Sequence, residues 1–111
     1  MNEATRFTES SGNVFADLGL SDPEALLAKA RLAGRISDII DERGLTQKEA
    51  AKILGVDQPK VSMIVRGHLD RFSIDRLMQF LTRLNQEIEI TVRPAEHGRY
   101  VINAPTVAAG D

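Results

Sequence analysis

One glycine, Gly55, stands between two short runs of helix formers, and that spacing constrains the fold more than anything else in the chain. Residues 47–66 read QKEAAKILGVDQPKVSMIVR. Gln47 to Leu54 are all good or tolerable helix formers. Gly55 can adopt the left-handed backbone that a Cβ disfavours, so it turns the chain. Val56 is the apolar residue inside the turn. Asp57 carries an oxygen that can cap a second helix running from about Gln58 to Val65. Ala50, Ala51, Leu54, Val56, Val61 and Ile64 point to one shared core. Gln58, Lys60 and Ser62 are left toward solvent or a ligand.

Two short helices around a tight turn form the pattern of a helix-turn-helix whose second helix enters a DNA major groove. The side chains suit that task. Gln58 can pair with the N6 and N7 edge of adenine, Ser62 can donate or accept at most base edges, and Lys60 can reach guanine or a phosphate. A helix N-terminus also offers backbone N–H groups and a partial positive charge to phosphate. Gln47, Lys48 and Arg66 are expected to position the unit on the sugar-phosphate backbone. Pro59 would brace the start of the second helix. The competing reading is a pair of core helices with an ordinary polar surface.

The segment LTQKEAAKILGVDQPKVSMIVRG, residues 45–67, resembles the phage-repressor (Cro-type, or XRE) class of helix-turn-helix proteins. The wider frame is similar to short XRE-type regulators found as HigA-like antitoxins beside RelE/HigB-like toxins. It comprises NVFADLGLSDPEALLAKARLAGRISDIIDERGLTQ and FSIDRLMQFLTRLNQEIEITV. This resemblance implies repression of the protein's own operon and, as an alternative main role, binding and neutralising such a toxin. Pro59 departs from the family pattern, since many relatives carry Ser or Thr there, and proline offers no side-chain donor.

Composition is consistent with a small binding domain. The 111 residues suffice for one domain, and 42% of them are hydrophobic. With four Phe, one Tyr and no Trp, the core must be mainly aliphatic. The absence of Cys excludes disulfides and thiolate metal sites. The N-terminus, MNEATRFTESSG, lacks an apolar signal core, and no stretch approaches a membrane span, so the expected location is the cytoplasm. The formal charge of −2 is low for a DNA binder, but its distribution is uneven. Within residues 46–72, Lys48, Lys52, Lys60, Arg66 and Arg71 outnumber Glu49, Asp57 and Asp70. The basic excess falls on the helix-turn-helix, and the acidic remainder would weaken non-specific DNA binding or attract a basic partner.

The rest of the chain can be placed coarsely. Residues 1–20 form an expected flexible arm, in which Val14, Phe15, Leu18 and Leu20 either pack on the domain or meet a partner. The helix-turn-helix domain spans 21–86. Its first helix is capped by Ser21 or Asp22 with Glu24 completing a capping box, and it ends at Gly44 with Arg43 complementing the dipole. Leu26, Leu27, Ala30, Ala33, Ile36, Ile39 and Ile40 are its expected apolar stripe. Thr46 and Glu49 make a second capping box. Phe72 precedes the cap Ser73 and is placed to staple to Leu77. Ile74, Leu77, Met78, Phe80, Leu81 and Leu84 make the following helix amphipathic, and Asn85 can close it in a left-handed turn.

At residues 87–93 the apolar period changes to two: Glu87, Ile88, Glu89, Ile90, Thr91, Val92 and Arg93 read as a half-buried strand. A lone strand leaves its backbone unpaired. It can form a hairpin with Tyr100, Val101 and Ile102, or pair with the same strand of a second subunit. The second option is preferred, with Ile88, Ile90 and Val92 at the dimer interface, because a two-fold dimer sets two recognition helices roughly 34 Å apart, one DNA turn. Residues 94–111 are the expected tail. His68 and His97 have no matching carboxylates for a metal site, and no phosphate loop or nucleophile–base set is present, so neither a cofactor nor an enzymatic activity is expected. The expected fold is mostly α, a five-helix phage-repressor-like domain with one C-terminal β-strand. Its partners are operator DNA, a second copy and, in the alternative reading, a toxin.

Overall fold

The computed structural model describes residues 22–99 and 101–104. Its regular structure is four helices, α1 (Asp22–Glu42), α2 (Gln47–Leu54), α3 (Gln58–Val65) and α4 (Ile74–Arg83). Local chemistry sets their ends. Thr46 Oγ1 accepts from the Glu49 amide at 3.0 Å, while the Thr46 amide donates to Glu49 Oε1 at 2.8 Å, which is the expected capping box. Asp57 caps α3 through a longer 3.4 Å bond from the Lys60 amide, and Ser73 caps α4 by accepting from Arg76 at 3.0 Å. Each helix is left through a residue of positive φ: Gly44, Gly55, Gly67 and Asn85. Beyond each, an amide reaches back to a carbonyl of the last turn, as Val56 does to Ala51 at 3.1 Å and Gln86 to Leu81 at 3.0 Å.

The core is aliphatic with one aromatic pair. Ile36, Ile39, Leu54, Val61, Ile64, Leu77, Phe80 and Leu84 are its largest fully buried side chains. Phe72 meets Phe80 edge-on at 6.1 Å, and Arg76 lies 5.0 Å above the Phe80 ring. Helix α1 packs along α4 and α3, while α2 packs on α3. The hydrophobic assignments within α2, α3 and α4 hold: every one is buried or packs against the core.

Several expectations are corrected. Among the described residues there are four helices and no strand, not five helices with a C-terminal strand. Residues 66–73, between α3 and α4, form turns rather than another helix. Beyond α4, Pro94 and a two-residue apolar period oppose helix formation. Residues 87–93 form no ladder because no neighbouring edge supplies one: their backbone makes no backbone hydrogen bond among the described residues.

The stripe of α1 also shifts. Ala28 and Leu32 carry it toward the N-terminus, in line with Ile36, whereas Leu26 and Leu27 are 58% and 55% exposed and Ala30 is exposed. Arg43 lies just past the end of α1, and its Nη2 donates instead to the Leu84 carbonyl at the end of α4, at 2.7 Å. Two further arginines pin the C-terminal chain to α1: Arg35 Nη2 donates to Gln86 Oε1 at 3.3 Å, and Arg31 Nη1 to the Ile102 carbonyl at 3.2 Å. Ile88 and Ile102 pack partly against the core. The proposed arm at 1–20, the Ser21 cap, Tyr100 and residues 105–111 lie outside the described residues.

Candidate nucleic-acid interface

Gly55 makes the geometry of the motif possible. Its backbone sits at φ 74° and ψ 34°, and its amide closes α2 on the Ala51 carbonyl at 2.8 Å. A Cβ there would be strained and would lie 3.2 Å from Nη1 of Arg83, which α4 brings beside the turn. Buried Ala50, Ala51 and Leu54 on α2 and Val61 and Ile64 on α3 hold the two helices on the common core.

The outward side of α3 follows from helix geometry. Successive residues advance by about 100°, so Gln58 and Ser62 stand one above the other. With Pro59, Val65 and Arg66 they make one continuous arc, opposite the side that buries Ile64 and packs Met63. Gln58, Pro59 and Arg66 are exposed, Ser62 is half-buried, and Val65 is 40% exposed. Lys60 is exposed as well, but it stands about 200° around the helix from Gln58, so the arc does not bring them together. Val65 has no counterpart in the residue set inferred from sequence. Its signal was its spacing, seven residues from Gln58 and three from Ser62, hidden by its apolar character.

At the start of α2, Gln47 is half-buried and Lys48 exposed. The capping box takes up the Thr46 and Glu49 amides and leaves those of Gln47 and Lys48 without a partner among the described residues. At α3 the supply is smaller. Pro59 has no amide hydrogen, and the Lys60 amide is already turned to Asp57. The N-terminus of α3 therefore offers fewer free amides than that of α2.

Charge is shared evenly between the two helices. Lys48, Lys52, Lys60, Arg66 and Arg71 are all exposed, whereas Glu49 and Asp57 are engaged as caps. Arg83, 28 positions beyond Gly55, adds a cation beside the turn that no local motif announced. Among the described residues no group of His, Asp or Glu is arranged to hold a metal ion, and no helix is long and apolar enough to cross a membrane. Ile88, Ile90 and Val92 lie apart from this surface in sequence, on the chain that follows α4.

A family model described as a helix-turn-helix domain matches residues 14–93. A solved structure described as an XRE family transcriptional regulator is 38% identical to the chain, with a TM-score of 0.67, covering 78% of this chain and 98% of its own. No curated protein matches the sequence. Motif, packing and both likenesses agree: the chain belongs to the XRE family of helix-turn-helix transcriptional regulators.

Proposed function

We propose that this protein binds a specific double-stranded DNA site as a homodimer and represses transcription of its own operon. The observation that carries the reading is the outward arc of α3, which joins Gln58, Ser62 and Val65 on a helix held rigidly by its buried side. Gln58 reads adenine through its amide, Ser62 bonds a neighbouring base edge, and Val65 packs on a thymine methyl. Lys60, off the arc, joins Gln47, Lys48 and Arg66 on phosphates, and Pro59 fixes the first turn rather than donating a bond. Residues 21–86 act as the DNA-binding unit, and residues 87–93 join the two copies.

Fluorescence anisotropy with DNA from upstream of the gene, against a scrambled duplex at two salt concentrations, tests this. Binding to the native duplex should be tighter and resist added salt better. Gln58→Ala should cost about 1–3 kcal/mol on the native duplex and little on the scrambled one. An equal loss on both would remove Gln58 from base reading.

A second reading, neutralisation of a basic RelE/HigB-like toxin, draws support from Leu26 and Leu27, which α1 leaves more than half exposed. Co-purification with a basic protein encoded beside it, abolished by Leu26→Glu, would favour that role.

A further inference from the structure

Residues 87–93 combine three properties that rarely persist together in a finished surface. Their backbone makes no backbone hydrogen bond among the described residues. Ile90 and Val92 are 71% and 91% exposed, although both are β-branched residues suited to a pleated, half-buried surface. Only Ile88 is anchored, packing partly against the core of its own chain. Such an edge is a template for another strand.

The charges decide which strand and in which register. In an antiparallel pair of identical strands about a two-fold axis, facing residues lie on the same side of the sheet. If the axis passes through Ile90, Ile90 faces itself, Ile88 faces Val92, Glu89 faces Thr91 and Glu87 faces Arg93. Every apolar residue then meets an apolar one, and opposite charges meet twice. Moving the axis to Glu89 sets two like carboxylates face to face, which is destabilising. Moving it to Thr91 leaves Ile88 opposite Pro94, which cannot donate to the ladder, and loses an apolar pair. A one-residue stagger that faces odd positions with even ones sets carboxylates against isoleucines.

We infer that two copies of this chain pair antiparallel through residues 87–93 about an axis at Ile90, with Glu87 of each copy bonded across to Arg93 of the other. This rests on the dimeric reading above and specifies its register. The anchored Ile88 of one copy receives Val92 of the other, so each strand extends the hydrophobic core of both subunits. Glu87 and Arg93 lie on the opposite, solvent side. They select the register rather than drive association, since exposed ion pairs contribute little on their own.

The chain contains no cysteine, so one introduced thiol reports its own neighbour. Under mild oxidation I90C should form a covalent dimer on a denaturing gel, while I88C and V92C alone should stay monomeric. I88C refolded together with V92C should give the covalent heterodimer. Sedimentation of the unmodified protein runs in parallel. A dimer in which I88C or V92C self-links in preference to I90C would overturn the register and leave the dimer standing. A dimer in which none of the three links would remove this segment from the interface. A monomer at all concentrations would overturn the dimeric reading and the register with it. As an independent check, E87R and R93E should each weaken the dimer, and the double variant should recover it.

Discussion

Two glycines of this protein answer to opposite physics. Gly55 occupies left-handed backbone at φ 74°. An alanine there would be strained by about 1–2 kcal/mol, and its Cβ would press on the movable end of Arg83. Gly34 lies inside α1, exposed, with open space where a Cβ would go. Alanine at Gly34 relieves the entropy that glycine loses on entering a helix. In urea denaturation Gly55→Ala should lower stability by about 1–2 kcal/mol, and Gly34→Ala should raise it by about 0.5–1 kcal/mol. Equal effects would mean that the turn does not depend on its glycine. Sequence alone singled out Gly55, from the helix formers on both sides. It was silent on Gly34, because an open environment is a property of the folded surface.

At the scale of elements, short helices depend on their ends. Helix α2 has eight residues, well under what a helix needs to persist alone in water. It survives through its buried Ala50, Ala51 and Leu54 and through the reciprocal bonds between Thr46 and Glu49. Thr46→Ala should therefore destabilise the domain by about 1 kcal/mol, read from the urea midpoint at unchanged slope. It should also weaken DNA binding modestly, since the capping box sets the start of α2 beside Gln47 and Lys48. Leu77, fully buried on α4, belongs to the larger class: Leu77→Ala should cost about 2–5 kcal/mol. The caps were legible because capping is local, an oxygen reaching an amide three residues on. The destination of Arg43 was not. Its guanidinium serves the end of α4, 41 positions away, and no window of sequence contains that contact.

The whole molecule depends on a second copy in the proposed function. One recognition helix reads only a few base pairs, and two held one DNA turn apart multiply the discrimination. Ile90 is largely exposed in the single chain, so Ile90→Glu should leave the thermal midpoint of a dilute sample nearly unchanged. The same variant should sediment as a monomer and lose most of its preference for the native duplex in anisotropy. Retained preference by a monomer would separate DNA reading from dimerisation. The overall charge of −2 belongs to this scale too: in the proposed function the basic excess of residues 46–72 would favour docking by the helix-turn-helix, and the acidic remainder would limit non-specific binding.

What the sequence determined by itself was whatever chemistry reaches only a few residues: the helix formers, the caps at Thr46, Asp57 and Ser73, the left-handed exits at Gly55 and Asn85, and the apolar sides of α2, α3 and α4. Tertiary structure decided what depends on neighbours distant in the chain. It chose Ala28 and Leu32 over Leu26 and Leu27, because two overlapping stripes on α1 have similar periodicity and only packing against the rest of the core settles which is covered. Among the described residues it left 87–93 without a ladder, because strand propensity sits in one segment whereas a hydrogen-bonded strand requires two.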